Sequence, residues 1–137
     1  MNRDDIKKLI PHREPMLLVD DARVNEDDVA IGHYTVRGDE WFVQGHFPGN
    51  PVVPGVVLCE MMGQTCCVLL ADKIVGTTPY FTGIDKVKFR NSVVPGDTIE
   101  MHCRIKRSLR TFYFTECEAY VGDKLCASGE LSFALVK

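Results

Sequence analysis

The chain has 137 residues, 45% of them hydrophobic and 26% charged, with a formal net charge of −3. That is apolar material enough for one globular domain over residues 1–137, and the slightly acidic balance lacks the basic surplus with which a nucleic-acid binder collects phosphates. Eleven glycines and seven prolines are scattered rather than periodic, which excludes a collagen-like or linker-rich chain.

Asn2 can cap a short first helix running to about Leu9, with Asp4 and Asp5 at its positive end and Pro11 as its stop. Residues 16–24 and 28–37 read as two strands separated by the acidic turn Asn25-Glu26-Asp27. Residues 45–55 hold three prolines and three glycines, so they form a stiff loop rather than a helix or a central strand. Residues 55–73 then carry good helix formers with apolar side chains in nearly every direction; such a helix must be surrounded by protein. Its apolar run Val56–Ala71 contains Glu60 and Gln64 and is shorter than the roughly 20 apolar residues of a membrane span.

Four strands follow, at 80–90, 97–107, 111–121 and 124–136. In the second, Ile99, Met101, Cys103 and Ile105 alternate with Glu100, His102, Arg104 and Lys106, the period of a half-buried antiparallel strand. A 19-residue helix is about 28 Å long, and six strands make a sheet roughly 24 Å across. The sheet can therefore curl around the helix. The expected class is α+β, one long central helix wrapped by a curved antiparallel sheet, with a homodimer covering the open strand edge and a helix flank.

No start combines basic residues, an apolar stretch and a small-residue cleavage site, so a cytoplasmic protein is expected. The six cysteines form no C-x-x-C pair, and the four histidines, His12, His33, His46 and His102, lack metal-ligand spacing. Reduced packing thiols and no metal are the expectation. Charge is uneven: residues 1–72 carry 12 acidic and 6 basic side chains, residues 73–137 carry 7 and 10; the second half either suits an anionic partner or is a mixed-sign soluble surface split this way by chance.

The sharpest chemical feature is Glu60 within Val56-Val57-Leu58-Cys59-Glu60-Met61-Met62. A carboxyl buried there without partners shifts toward its protonated form and becomes a proton donor; the bland alternative is that it reaches solvent or pairs with a buried base. His46 lies fourteen positions earlier, in the stiff loop feeding the same helix, and is either a backbone-bonded loop residue or a base that titrates near neutrality. Gly55 opens the helix with an N–H that has no intrahelical partner, suited to a developing oxyanion or simply to turn geometry. Gln64, one turn after Glu60, can orient that carboxyl or be a satisfied core amide. Cys66 and Cys67 sit deep in the helix and are expected to pack, not attack. Lys86, Lys88 and Arg90 alternate along one strand, a basic ridge for an acidic partner or a solvated face; Arg104, Lys106 and Arg107 are weaker candidates.

Taken together, the chain resembles the 3-hydroxyacyl-acyl-carrier-protein dehydratases of type II fatty acid synthesis, the FabZ-type hot-dog family, over nearly its whole length. The resemblance rests on Ile10-Pro11-His12-Arg13-Glu14-Pro15-Met16-Leu17-Leu18-Val19-Asp20, on Gly45-His46-Phe47-Pro48-Gly49 through Pro54-Gly55, on Glu60 with Gln64, and on Phe89-Arg90 leading to Val94-Pro95-Gly96-Asp97. It implies a hot-dog fold and His46 and Glu60 as the catalytic pair, each from a different subunit of a dimer. Gly55, Gln64 and Phe47 become oxyanion and substrate-binding residues, and Lys86, Lys88 and Arg90 the docking residues.

The same resemblance implies a hexamer built as a trimer of dimers, no metal or organic cofactor, and a substrate carried on the phosphopantetheine arm of an acyl carrier protein. The reaction would be dehydration of a (3R)-hydroxyacyl thioester to a trans-2-enoyl thioester. FabA-type sister enzymes, which also isomerise, carry aspartate where this chain has Glu60. A bifunctional dehydratase/isomerase, a hot-dog acyl thioesterase and a non-catalytic carrier-binding module are the competing readings.

Overall fold

The computed structural model describes residues 1–137. Helix α1 (Arg3–Lys7) starts where Asn2 accepts from the Asp5 N–H while the Asp5 carboxylate accepts from the Asn2 N–H, two orphan donors satisfied reciprocally. Six strands form one antiparallel sheet: β1 (Asp21–Val24), β2 (Ala30–Thr35), β3 (Thr78–Phe89), β4 (Thr98–Leu109), β5 (Phe112–Val121) and β6 (Lys124–Val136), in spatial order β1-β2-β4-β5-β6-β3. The tight connections are built by residues suited to them. Asn25 accepts from the N–H groups of Asp27 and Val29, and Gly122 adopts φ 61° in the two-residue β5–β6 turn.

The central helix α2 spans Gly55–Cys66 and tightens into a 3₁₀ turn, Cys67–Leu70. It packs across β2, β4, β5 and β6, with Leu58, Cys59, Met61, Met62 and Cys66 buried against the sheet. Each fully buried Leu or Met contributes about 2 kcal/mol of transfer free energy. Inward Ile99, Met101 and Cys103 lie beneath the helix, while Glu100, His102 and Arg104 are only half-buried, as their alternation predicts. This is the expected α+β architecture.

Four expectations need correction. The helix is shorter than residues 55–73, because its last turn tightens and the chain leaves it after Leu70. It is not enclosed all round: Val56, in its first turn, is 74% exposed. Residues 16–20 are not strand, since the Met16 carbonyl and Leu18 N–H bond to the Gln64 side chain instead of a neighbouring strand. Lastly, Lys86, Lys88 and Arg90 form no regular ridge. A register shift falls between Asp85 and Lys88, Lys86 has φ 53°, and Arg90 lies beyond the end of β3; a bulge of this kind breaks the period-2 alternation.

Candidate active site

His46 is set by the turns of the 45–54 segment. Its N–H donates to the Val43 carbonyl, its own carbonyl accepts from Val52 N–H, and its ring Nδ1 lies 3.1 Å from the Val52 carbonyl. A carbonyl only accepts, so Nδ1 carries a hydrogen, and in the neutral ring Nε2 then presents a lone pair. Phe47 stacks on this ring at 4.2 Å between centroids and is 55% exposed. His46 opens on a cavity of about 530 Å³ shared with Pro54, Gly55, Val56, Phe89 and Arg90.

Gly55 begins α2 behind Pro54, which offers no side-chain cap, and the first turn contains no acidic residue. The N–H groups of Gly55 and Val56 find no acceptor within the chain, so this cavity faces the positive end of the helix uncompensated. A Cβ on Gly55 would sit 2.8 Å from the Phe89 ring. An alanine here would have to push the exposed Phe89 ring aside.

Glu60 lies one and a half turns further along α2, in a second cavity of about 60 Å³ that it shares with His12, Gly63, Gln64, Cys67 and Phe81. It is not the partnerless carboxyl that its apolar neighbours in sequence suggested. Oε2 accepts from Gln64 Nε2 at 2.9 Å and lies 3.3 Å from His12 Nε2, and the side chain is 25% exposed. Gln64 is itself locked: its Oε1 accepts from Leu18 N–H at 2.8 Å and its Nε2 donates to the Met16 carbonyl at 2.8 Å. Burial, reinforced by the charge of Glu60, pushes the Cys67 thiol up to about 12, so it remains a neutral wall of the cavity.

The two central candidates do not meet within one chain. His46 and Glu60 open on separate cavities that share no lining residue. Both cavities touch β3, however: Phe89 lines the first and Phe81 the second. Strand β3 is an edge of the sheet, and Tyr80, Phe81, Ile84 and Phe89 along it are all exposed.

Other basic candidates are occupied. Arg104 forks onto Glu118 at 2.9 and 3.0 Å, Lys106 pairs with Glu130, and Arg107 lies over the Phe114 ring. Lys86 leans to Glu130 at 3.5 Å. Arg90, on the wall of the His46 cavity, makes no ion pair. All six cysteines are buried free thiols. His12 was not among the site residues read from the sequence; a single histidine after a helix-stopping proline carries no local signal that it will reach Glu60, 48 positions away.

A family model described as FabA-like domain matches residues 10–130. The chain is 42% identical over 142 aligned residues to a protein of Clostridioides difficile named 3-hydroxyacyl-[acyl-carrier-protein] dehydratase FabZ, covering 100% of this chain and 99% of that one. It is 39% identical to the protein of the same name from Clostridium perfringens, covering 98% and 99%. Among solved structures, the dehydratase heterocomplex ApeI:P of Xenorhabdus doucetiae superposes with a TM-score of 0.83 at 19% identity, over 96% of this chain and 91% of that one. A fluoroacetyl-CoA-specific thioesterase, FlK, superposes with a TM-score of 0.68 at 19% identity, over 85% and 90%. These two likenesses establish the shared hot-dog fold.

Proposed function

The chain belongs to the FabA-like domain family, among the FabZ-type 3-hydroxyacyl-acyl-carrier-protein dehydratases, and from that premise we propose how its own residues carry the elimination of water. The substrate is a (3R)-hydroxyacyl thioester on an acyl carrier protein. His46 Nε2, the ring nitrogen left with a lone pair, takes the C2 proton. Negative charge growing on the thioester oxygen is met by the free N–H of Gly55 at the helix start. Glu60 gives a proton to the departing 3-hydroxyl, which leaves as water. The C2–H and C3–O bonds break, the C2=C3 bond forms, and both protons are accounted for.

The observation that carries this reading is the placing of the two cavities at opposite ends of one edge strand. If β3 pairs antiparallel with β3 of a second copy about a twofold axis near Asp85, the Phe81 end of one strand faces the Phe89 end of the other. The Glu60 cavity of one copy then adjoins the His46 cavity of the next. The same pairing covers Tyr80, Phe81 and Ile84, whose exposure is otherwise costly. The dimer is the active unit in this proposal, and association of three such dimers is its extension to a hexamer.

Arg90, unpaired on the wall of the His46 cavity, is the strongest of the three docking candidates. Its position suits the phosphate of a phosphopantetheine arm, while Lys86 and Lys88 supply exposed charge for an acidic carrier surface.

Subunit complementation tests the reading. His46→Ala and Glu60→Gln are each expected to lose turnover of a 3-hydroxyacyl carrier thioester. Co-refolded in equal amounts, they should regain about 25% of wild-type activity, because half of the dimers are mixed and each mixed dimer holds one intact site. No recovery on mixing, or near-wild-type rates in either folded single variant, overturns the proposal.

A further inference from the structure

We propose that His12 is a positioning residue for Glu60: with Gln64 it occupies Oε2 of the carboxyl, so that the proton given to the departing hydroxyl leaves from Oε1. The inference rests on the dehydratase reading above and adds a residue and an atom to it. It starts from the Gln64 amide, whose orientation is fixed at both ends. Leu18 N–H must meet an acceptor, which makes the atom facing it Oε1; Nε2 then donates to the Met16 carbonyl and, with its remaining hydrogen, to Glu60 Oε2. An oxygen that receives an amide N–H is the unprotonated one of a carboxyl pair.

His12 reaches the same oxygen. Its Nε2 lies 3.3 Å from Glu60 Oε2, and its Nδ1 is buried with no partner at all. A neutral imidazole has one N–H to place. On Nδ1 that hydrogen would be a buried, unpaired donor, and Nε2 and Oε2 would face each other as two lone pairs. On Nε2 it faces Oε2 at ion-pair distance, as a second positive contact beside the Gln64 donor. The ring is held there by its neighbour: the Arg13 guanidinium donates to the carbonyls of Lys7, Ile10 and His12 at 3.1, 3.0 and 2.7 Å, so the turn after α1 is stapled from within.

An amide donor on Oε2 and an imidazole N–H facing the same oxygen leave Oε1 as the place for an acidic hydrogen, which is a geometric as well as an electrostatic assignment. The titratable groups facing Glu60 are few. On its own helix are the Cys59 and Cys67 thiols, both raised by burial first and by the Glu60 charge as well. His12 faces it from the N-terminal segment. From β3 come only apolar side chains at the cavity, and in the proposed dimer the remaining group is His46 of the second copy.

The test compares His12→Phe and His12→Asn with Glu60→Gln in the assembled enzyme, following carrier-linked substrate across pH. His12→Phe is expected to lower kcat about tenfold or more while KM stays within about twofold, as misplacement of a proton donor does. The limb of the pH profile that reports Glu60 should move to higher pH, because a donor to the charged form has been removed. His12→Asn, which restores an N–H, should recover part of both effects. In the double variant, His12→Phe should cost nothing beyond Glu60→Gln.

An unchanged profile and rate in His12→Phe, or a further proportional loss in the double variant, overturns the role of His12 while leaving the dehydratase site intact. Full activity in Glu60→Gln instead overturns that site. If His12→Phe fails to fold, the pH limb in His12→Asn and His12→Gln decides alone.

Discussion

Replacing Gln64 with leucine removes the group that connects Glu60 to the N-terminal segment, and its cost can be worked bond by bond. Gln64 is 2% exposed and Leu18, whose N–H it accepts, is 1% exposed. Leucine fills the volume but leaves that N–H buried and unpaired, a penalty of about 1–3 kcal/mol. Met16 is exposed, so water can replace the amide at its carbonyl. A net loss of about 2 kcal/mol should lower Tm by roughly 6 °C in a chain of this size. Because the proposed dimer would stabilise its subunits by mass action, the comparison is made by thermal unfolding at equal protein concentration. Turnover should fall too, since Oε2 of Glu60 loses a donor. Gln64→Glu sharpens the test: it sets a carboxylate oxygen against Glu60 Oε2 in place of a donor at 2.9 Å, so its deficit relative to wild type should shrink as pH falls and one of the pair takes a proton. A Gln64→Leu protein melting within about 1 °C of wild type with unaltered kcat would refute the reasoning.

Two further outcomes are expected. Burial pushes the Glu40 carboxyl up, but hydrogen bonds from the Arg37 N–H, the Tyr34 hydroxyl and the Gly38 N–H outweigh it and hold Glu40 below the usual range. A depressed carboxylate stabilises the fold above its unfolded pKa and loses that contribution as pH falls through its folded value. Tyr34→Phe should therefore cost about 1–2 kcal/mol in denaturant unfolding at pH 7, and the difference should narrow below about pH 4. Ile84→Lys, on the exposed edge of β3, should leave the far-ultraviolet circular dichroism unchanged, shift sedimentation toward a single copy and abolish turnover; full activity in a monomeric sample would contradict the two-copy site.

Legibility from sequence followed the range of the interactions concerned. The strands β4, β5 and β6 are set by alternation and by turns such as Gly122-Asp123, both local, and lie within two residues of where the pattern put them. Met16-Leu17-Leu18-Val19 reads as strand because it is apolar, yet it is loop, buried from Leu17 onward, whose polar groups bond a helix side chain 46 and 48 positions distant. The bulge at Lys86 undid a charge pattern that a regular strand would have kept. At the site, Glu60, Gly55 and His46 were visible as chemistry out of place in its surroundings. His12 was not, because its importance is a contact at 3.3 Å made only after the chain returns across the helix. The separation of His46 from Glu60 within one chain has no signature in local pattern either; only the family resemblance implied it, and the structure shows it as two cavities that share no lining residue.

The twelve-residue β3 edge has a bearing on how such a protein survives its own synthesis. If the proposed pairing holds, each newly made chain displays, until a second copy arrives, a sticky border of unsatisfied backbone and aromatic rings, open to any extended segment nearby. Damage to that seam that leaves it apolar should therefore surface as insoluble material and poor yield as well as lost turnover.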